Sequence, residues 1–194
     1  MPGIIILAAG SSSRLGQPKQ NLLFEGKTLL QRAIDTALST YCSPIIVVLG
    51  ANSSQITPTL DARNVTLVYN PNWAEGMASS IRLGLKSAME INPAIEVVVL
   101  MVCDQPFLDT AVLNALIAVQ VQTGSGVVAS HYDNTFGVPV LFNKKYFDEL
   151  LQLKGQEGAR KLLQKYQDTI SFVDYPKGSI DIDTEEDFRK IKAQ

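Results

Sequence analysis

The feature that most constrains the fold is the alternation of short apolar runs with segments of helical periodicity. Five runs rich in Ile and Val are predicted as strands: Gly3–Ala9, Pro44–Leu49, Val65–Tyr69, Val97–Val102 and Val127–Ser130. Because their hydrophobicity is continuous, both faces of the sheet should be covered, which is typical of parallel strands between helices. Helices are expected at Thr28–Ser39, Met77–Met89 and Thr110–Gln122.

The second of these helices carries a clear apolar stripe. Met77, Ile81, Leu85 and Ala88 recur at helical spacing, so all four are expected to face the core.

The last third of the chain is less regular. The expected strands are Pro139–Phe142, Ile170–Val173 and Ser179–Ile182, and the expected helices are Lys144–Leu151, Ala159–Tyr166 and Thr184–Lys192. Asp183 or Thr184 could serve as the N-cap of the final helix. The order of elements predicts an α/β fold in one domain, residues 1–194, with a Rossmann-like, mostly parallel sheet and helices on both faces.

Charge and cysteine content exclude several classes of protein. A formal net charge of −2 provides no basic field for a nucleic-acid partner. Two cysteines are too few for a disulfide framework. No apolar stretch approaches the roughly 20 residues that cross a bilayer, and the first ten residues lack the charged region of a signal peptide. We therefore expect a soluble, cytoplasmic protein with no membrane partner.

The loop after the first strand, Leu7–Lys19, gives the strongest functional signal. It lies at the carboxyl edge of the predicted sheet, where open α/β folds bind ligands. Gly10 and Gly16 can adopt dihedral angles closed to other residues, and Arg14 and Lys19 supply two cations. An isolated glycine-serine loop is usually a solvated turn, but its position after a buried strand favours a phosphate site.

Two better-known phosphate motifs are absent. No Gly-x-Gly-x-x-Gly follows a strand, so a dinucleotide fold is unsupported. Gly26–Thr28 resembles the end of a Walker A loop, but Asn21 stands where that motif needs glycine. This tripeptide is better explained as a turn in which Thr28 caps a helix.

Acidic residues follow the fourth predicted strand and recur near the end of the chain. A carboxylate at the end of a buried strand is costly without a cationic partner, so Asp104 is predicted to bind a metal ion. Asp181 and Asp183 would share one face of an extended segment. We favour Asp181 as the second metal ligand and Asp183 as the helix cap.

Several segments together resemble one family. The loop sequence Leu-Ala-Ala-Gly-x-Ser-x-Arg-x-Gly-x-x-Lys is similar to the signature of the MobA-like nucleotidyltransferases, and most similar to that of the molybdenum cofactor cytidylyltransferases. The similarity continues through Glu-Gly-Met-x-Ser-Ser, Asp-Gln-Pro and Asp-Ile-Asp-Thr, so it covers most of the chain. It implies the fold of nucleotide-diphospho-sugar transferases.

The resemblance also implies a set of site residues. Those expected to bind the nucleotide are Leu7, Ala8, Ala9, Gly10, Ser12, Arg14, Lys19, Gly76, Ser79 and Ser80. Arg14, Lys19 and Asp104 are the expected catalytic residues, and Asp104 and Asp181 the expected ligands of Mg²⁺. Trp73 is expected to pack rather than stack on a base, and the only histidine, His131, is not needed for the chemistry.

The implied reaction transfers CMP from CTP to the terminal phosphate of a molybdopterin cofactor and releases pyrophosphate, with transient contact to a molybdoenzyme or its chaperone. Two departures concern the acceptor: Val138 stands where the family has His, and Cys103 where it has Gly. Lys154 and Arg160 are candidate anion contacts. The alternatives are a transferase using GTP or a sugar phosphate, and a non-catalytic binding module, which would not need paired metal-binding acids.

Overall fold

The computed structural model describes residues 1–192. Its strands are β1 (Gly3–Ala8), β2 (Leu23–Phe24), β3 (Lys27–Thr28), β4 (Ile45–Leu49), β5 (Thr66–Tyr69), β6 (Val97–Val102), β7 (Val127–Tyr132), β8 (Thr135–Asn143) and β9 (Ser171–Asp174). Its α-helices are α1 (Leu29–Leu38), α2 (Ser53–Ile56), α3 (Met77–Ile91), α4 (Thr110–Thr123), α5 (Phe147–Leu151), α6 (Ala159–Lys165) and α7 (Glu185–Lys192).

Seven strands form the main sheet, in the order β5-β4-β1-β6-β8-β7-β9. β1 pairs in parallel with both β4 and β6, and β9 pairs in parallel with β7. Only β8 runs in the opposite direction, antiparallel to β6 and to β7. The carboxyl ends of β1, β4 and β6 therefore meet at one edge of the sheet, as the continuous apolar runs predict.

The core lies on both faces of this sheet. Ile5 of β1 packs into a cluster with α3, α5 and α6. Its neighbours Ile4 and Ile6 point to the other face and pack with α1 and α4. Since side chains alternate along a strand, a run that is buried throughout needs helices on both sides. The prediction of a mostly parallel sheet with helices on both faces is confirmed.

Most predicted elements are present, with ends shifted by a few residues, but one predicted strand is wrong. Ser179–Ile182 forms no strand; Pro176–Ser179 is a 3-10 turn, and the chain then runs without regular pairing. The Ile182 N–H donates to the carbonyl of Asp104 at 3.1 Å, so this segment is fixed to the site instead of to the sheet.

The reversed direction of β8 and the short β2–β3 hairpin are not apparent from the sequence pattern. β8 is also longer than the predicted Pro139–Phe142. Because β8 lies inside the sheet, Val140, Leu141 and Phe142 are all buried, and an antiparallel strand shows the continuous hydrophobicity expected of a parallel one. The prediction that Thr28 caps α1 is confirmed, since its side chain accepts a hydrogen bond from the Gln31 N–H.

The apolar stripe of α3 is confirmed except at its first residue. Ile81, Leu85 and Ala88 are fully buried, whereas Met77 is 46% exposed. Met77 is the first residue of the helix, and Ala78 takes the buried position instead. Among residues 1–192, no helix is both long enough and apolar enough to cross a membrane.

Gly84 allows α3 to lie close to the sheet. A Cβ at this position would stand 2.5 Å from Cγ2 of Ile5 and 3.0 Å from Cγ2 of Val48, both in buried strands. Alanine normally stabilises a helix interior by about 1 kcal/mol relative to glycine. We expect Gly84→Ala to lower the free energy of unfolding by about 1–3 kcal/mol, because the added methyl overpacks the core.

Urea denaturation of the full chain measures this effect. Combining Gly84→Ala with Ile5→Ala removes the nearer of the two Cγ2 atoms that obstruct the new methyl and leaves that of Val48. Adding Gly84→Ala to the Ile5→Ala variant should then cost less than adding it to the unaltered protein. Strictly additive losses in the double variant would contradict the proposed clash.

Candidate functional site

A cleft of about 290 Å³ opens at the carboxyl edge of the sheet, between the ends of β1 and β6 and the start of α3. Its lining consists of Leu7, Ala8, Ala9, Gly10, Ser11, Lys19, Gln20, Trp73, Ala74, Gly76, Met77, Ser80, Val102, Cys103, Asp104 and Gln156. This is the position at which open α/β sheets bind ligands. A larger cleft of about 680 Å³ lies between α3, α5 and α6, but its charged side chains other than Lys154 pair with one another.

The loop after β1 takes its shape from two residues in left-handed backbone conformation. These are Ser12, with φ of 55°, and Gly16, with φ of 67°. The Ser12 hydroxyl accepts a hydrogen bond from the Lys19 N–H at 3.0 Å, which closes the loop across its base. Gly10, which could also adopt such a conformation, does not: its φ is not positive, and a Cβ there would meet no atom within 4 Å. Its main chain therefore faces open space.

A fully buried glutamine holds the same loop from below. The Gln20 side-chain amide donates to the carbonyl of Ala8 at 2.8 Å and to that of Gly10 at 3.1 Å. Buried polar groups of this kind are stable only when their hydrogen bonds are made. The sequence pattern does not reveal the role of Gln20, because nothing but its place beside Lys19 distinguishes it from other glutamines.

Lys19 joins three distant parts of the chain. Its Nζ lies 2.5 Å from Oδ2 of Asp104, at the end of β6, and 2.9 Å from Oδ1 of Asp183, in the late acidic segment. Arg14 also pairs with Asp183, at 3.2 Å, although its own side chain is largely exposed. Ion pairs therefore hold together the loop after β1, the end of β6 and the late acidic segment.

The pKa values of these groups follow from this contact. Burial by itself would lower the pKa of the Lys19 ammonium, but the charges and hydrogen bonds of Asp104 and Asp183 outweigh it and raise that pKa above its ordinary value. The hydrogen bond from Lys19 lowers the pKa of Asp183. Lys19 is consequently a permanent cation at neutral pH and Asp183 a permanent anion.

Asp181 is in a different position from Asp183. It is exposed on one side, yet the surrounding protein desolvates its carboxylate and the charges of Asp104 and Asp183 repel it, so its pKa is raised. The expectation that Asp183 caps α7 is wrong. Thr184 is the cap: its Oγ accepts from the Asp187 N–H at 3.2 Å, and the Asp187 carboxylate accepts from the Thr184 N–H at 2.8 Å.

The opposite wall of the cleft is the first turn of α3. Asn70 is buried, and its side-chain amide donates to the hydroxyls of Ser79 at 2.8 Å and Ser80 at 3.0 Å. The Ser79 hydroxyl also contacts the carbonyls of Asn72 and Gly76, so it serves the local structure. Ser80 instead lines the cleft. The structural role of Asn70 is likewise not apparent from the sequence pattern.

Of the ten residues predicted to bind a nucleotide, seven line the cleft: Leu7, Ala8, Ala9, Gly10, Lys19, Gly76 and Ser80. Ser12, Arg14 and Ser79 do not line it and hold neighbouring parts of the structure instead. Asp104 lines the cleft, whereas Asp181 does not. The carboxylate of Asp181 is nevertheless close enough to Asp104 for the charge of Asp104 to raise its pKa.

Other residues singled out in the sequence have separate positions. Trp73 packs against the core cluster on the α3 face, as expected, and also forms part of the cleft wall. His131 pairs with Asp174 at 3.0 Å, away from the cleft. Lys154 lines the larger cleft, and Arg160 is exposed on α6.

Two known proteins are similar to this chain over nearly its whole length. A nicotine blue oxidoreductase of Paenarthrobacter nicotinovorans is 28% identical to this chain over 199 aligned residues, covering 96% of this chain and 94% of the relative. The molybdenum cofactor cytidylyltransferase of Escherichia coli (strain K12) is 27% identical, covering 98% and 95%.

A similar solved structure contains a metal ion. The crystal structure of Rv0371c from Mycobacterium tuberculosis H37Rv, in complex with manganese, superposes with a TM-score of 0.81 at 27% identity, covering 97% of this chain and 96% of that one. The sequence profile of the MobA-like NTP transferase domain matches residues 4–170. Since the match spans most of the chain, this protein belongs to the family of MobA-like NTP transferase domains.

Proposed function

We propose that this chain is a Mg²⁺-dependent cytidylyltransferase that transfers CMP from CTP to the terminal phosphate of a molybdopterin-type cofactor and releases pyrophosphate. The observation that carries the proposal is the position of Lys19, which lies between Asp104 and Asp183 at the mouth of the cleft formed by the loop after β1 and the start of α3. We place the reaction in the cytoplasm, in keeping with two cysteines that are both free.

The donor chemistry of the site fits a hard divalent cation. Asp104 and Asp181 offer carboxylate oxygens, which Mg²⁺ prefers. The pKa of Asp181 is raised by desolvation and by the charges of Asp104 and Asp183, so a cation here would relieve an existing repulsion. No three His, Cys, Asp or Glu side chains within residues 1–192 form a complete cluster, so a triphosphate would supply the remaining oxygens.

In the proposed reaction an oxygen of the acceptor phosphate attacks the α-phosphorus of CTP, and the bond to the β-phosphate breaks as pyrophosphate leaves. The acceptor phosphate is already largely ionised at neutral pH, so no side chain has to remove a proton. Lys19 and Arg14 offset the negative charge of the triphosphate, and Asp104 with Asp181 would hold Mg²⁺, whose role when bound is to stabilise charge on the phosphate oxygens.

The acceptor side is organised through main-chain atoms. The side-chain amide of Gln105, next to Asp104, donates to the carbonyl of Val138 at 3.1 Å and to that of Gly178 at 2.7 Å. A backbone contact does not depend on the side chain at position 138. The absence of the family's His there therefore leaves this connection to the residue next to Asp104 intact.

Pyrophosphate release from each of the four nucleoside triphosphates, with Mg²⁺ and with or without molybdopterin cofactor, tests the overall proposal. We expect release from CTP only when the cofactor is present. Equal release from GTP, or release with a sugar phosphate in place of molybdopterin, would assign a different transferase activity. A chain that binds nucleotide and releases no pyrophosphate with any acceptor would be a binding module.

Asp104→Asn preserves the shape of the side chain and removes its charge. We expect turnover to fall by about 10²–10³-fold, because a group that stabilises charge at the reacting phosphate is lost. Binding of Mn²⁺, followed by electron paramagnetic resonance, should weaken in parallel. The control is Asp174→Asn on the edge strand β9, which should change neither quantity. Full turnover in Asp104→Asn would rule out the assigned role.

Asp181 and Asp183 should affect stability in opposite directions. The folded-state pKa of Asp181 is raised, so the stability of the metal-free protein falls as pH rises through that pKa. We expect Asp181→Asn to raise the free energy of unfolding at pH 7, by less than about 1 kcal/mol because this group is exposed.

The folded-state pKa of Asp183 is lowered, so its contribution to stability is present above the unfolded pKa and is lost in acid. We expect Asp183→Asn to lower the free energy of unfolding at pH 7.

Urea denaturation between pH 3 and 8 on the two variants measures these effects. Added Mg²⁺ should stabilise the unaltered protein more than Asp181→Asn. The assignment of Asp181 would be overturned by equal stabilisation of both proteins.

A further inference from the structure

Gln156 reaches the cleft from a distant part of the chain. Among the described residues that line the cleft, it alone comes from beyond Asp104 in the sequence. It belongs to the loop between α5 and α6, and its side chain is exposed into the cleft.

The loop that carries Gln156 is fixed to the start of α3. The Ala78 N–H donates to the carbonyl of Gly155 at 3.1 Å. A Cβ on Gly76 would stand 2.3 Å from that carbonyl oxygen and 2.9 Å from Cδ of Gln156. Only glycine at position 76 permits this approach, so the first turn of α3 and the Gln156 amide are held against each other.

The amide of Gln156 is available to a ligand. It makes no hydrogen bond to any side chain or main-chain group within residues 1–192, and it offers one acceptor and two donors. Lys19 and Asp104, the charged groups of the cleft, belong to the loop after β1 and to the end of β6. Gln156 lies instead with the uncharged residues of α3, where the base of a nucleotide is better accommodated than its phosphates.

Ser80 supplies a second polar group on the same wall. Ser80 is 4% exposed as a residue, and its hydroxyl accepts a hydrogen bond from the Asn70 amide, while the hydroxyl proton has no acceptor in the described part of the chain. This proton is therefore available to an acceptor atom in the cleft. The wall thus combines a hydroxyl donor with an amide whose carbonyl can accept.

Cytosine matches this combination. Its Watson–Crick edge carries two acceptors, O2 and N3, beside an amino donor. We propose that Gln156 contacts the base of the bound nucleotide, accepting a hydrogen bond from the cytosine amino group while Ser80 donates to the adjacent acceptor N3, and that this pair selects the nucleotide. The proposal rests on the proposed function, since it names how the same cleft recognises its triphosphate.

Calorimetric titration of CTP and UTP into the full chain with Mg²⁺ tests the assignment without any acceptor. The two nucleotides differ at the amino or carbonyl group that Gln156 would face and carry the same phosphates, so their affinity ratio cancels any general electrostatic change. In the Gln156→Glu variant the carboxylate can only accept hydrogen bonds. We expect this variant to raise the ratio of CTP affinity to UTP affinity by roughly tenfold. Gln156→Ala should weaken CTP binding by about three- to tenfold and reduce the ratio.

Gln152→Ala is the matched control, because this exposed glutamine lies in the same region but lines the larger cleft. It should leave both affinities unchanged. An unaltered CTP-to-UTP ratio in both Gln156 variants would overturn the assignment, as would an effect confined to the KM of the acceptor. If the unaltered protein binds no triphosphate at all, the proposed function fails with it; if it binds CTP and the ratio does not change, only the role of Gln156 fails.

Discussion

The ammonium group of Lys19 is the point on which the site depends. It lies between the carboxylates of Asp104 and Asp183, and so joins the loop after β1, the end of β6 and the segment before α7. A small apolar cluster that includes Leu15 and Ile182 supports the same junction from below. The carboxylates of Asp104 and Asp183 would repel each other without a cation between them. The charge of Lys19 therefore stabilises the local fold and can also bind an anionic ligand.

Around this ion pair, uncharged amides fix the walls of the cleft. Gln20 holds the carbonyls of Ala8 and Gly10, and Asn70 orients the hydroxyl of Ser80. Each amide is buried and uses its hydrogen bonds on the protein, so the cleft has its shape before a ligand arrives. A site arranged in this way avoids part of the ordering cost that binding would otherwise carry.

The sequence was sufficient to predict the strands and helices that show a regular hydrophobic pattern and the site residues that belong to a recognisable motif. The apolar runs predicted β1, β4 and β6, and the glycine-serine loop and Asp104 were correctly placed at one edge of the sheet. Gln20, Asn70 and Gln156 could not be found in this way, because a glutamine or asparagine has no periodicity, and its burial or its place in a cleft is decided by contacts far along the chain. Ser179–Ile182 was predicted as a strand for the same reason. Its apolar residues pack on the loop after β1 instead of on a sheet.

The parallel strands β1, β4 and β6 and the hairpin of β7 with the reversed strand β8 differ in how readily they can tolerate substitutions. β1, β4 and β6 are linked by helical crossovers, so their spacing depends on the whole core. β7 and β8 form a hairpin, with Asp133 and Asn134 in left-handed conformation at its turn, and this turn projects at the same edge as the loop after β1. The turn is closed by the pairing of β7 with β8, so a substitution at its tip alters none of the pairs that join β1 to β4 and β6. The fold can therefore diversify in what it accepts at this edge while the charged junction around Lys19 stays the same.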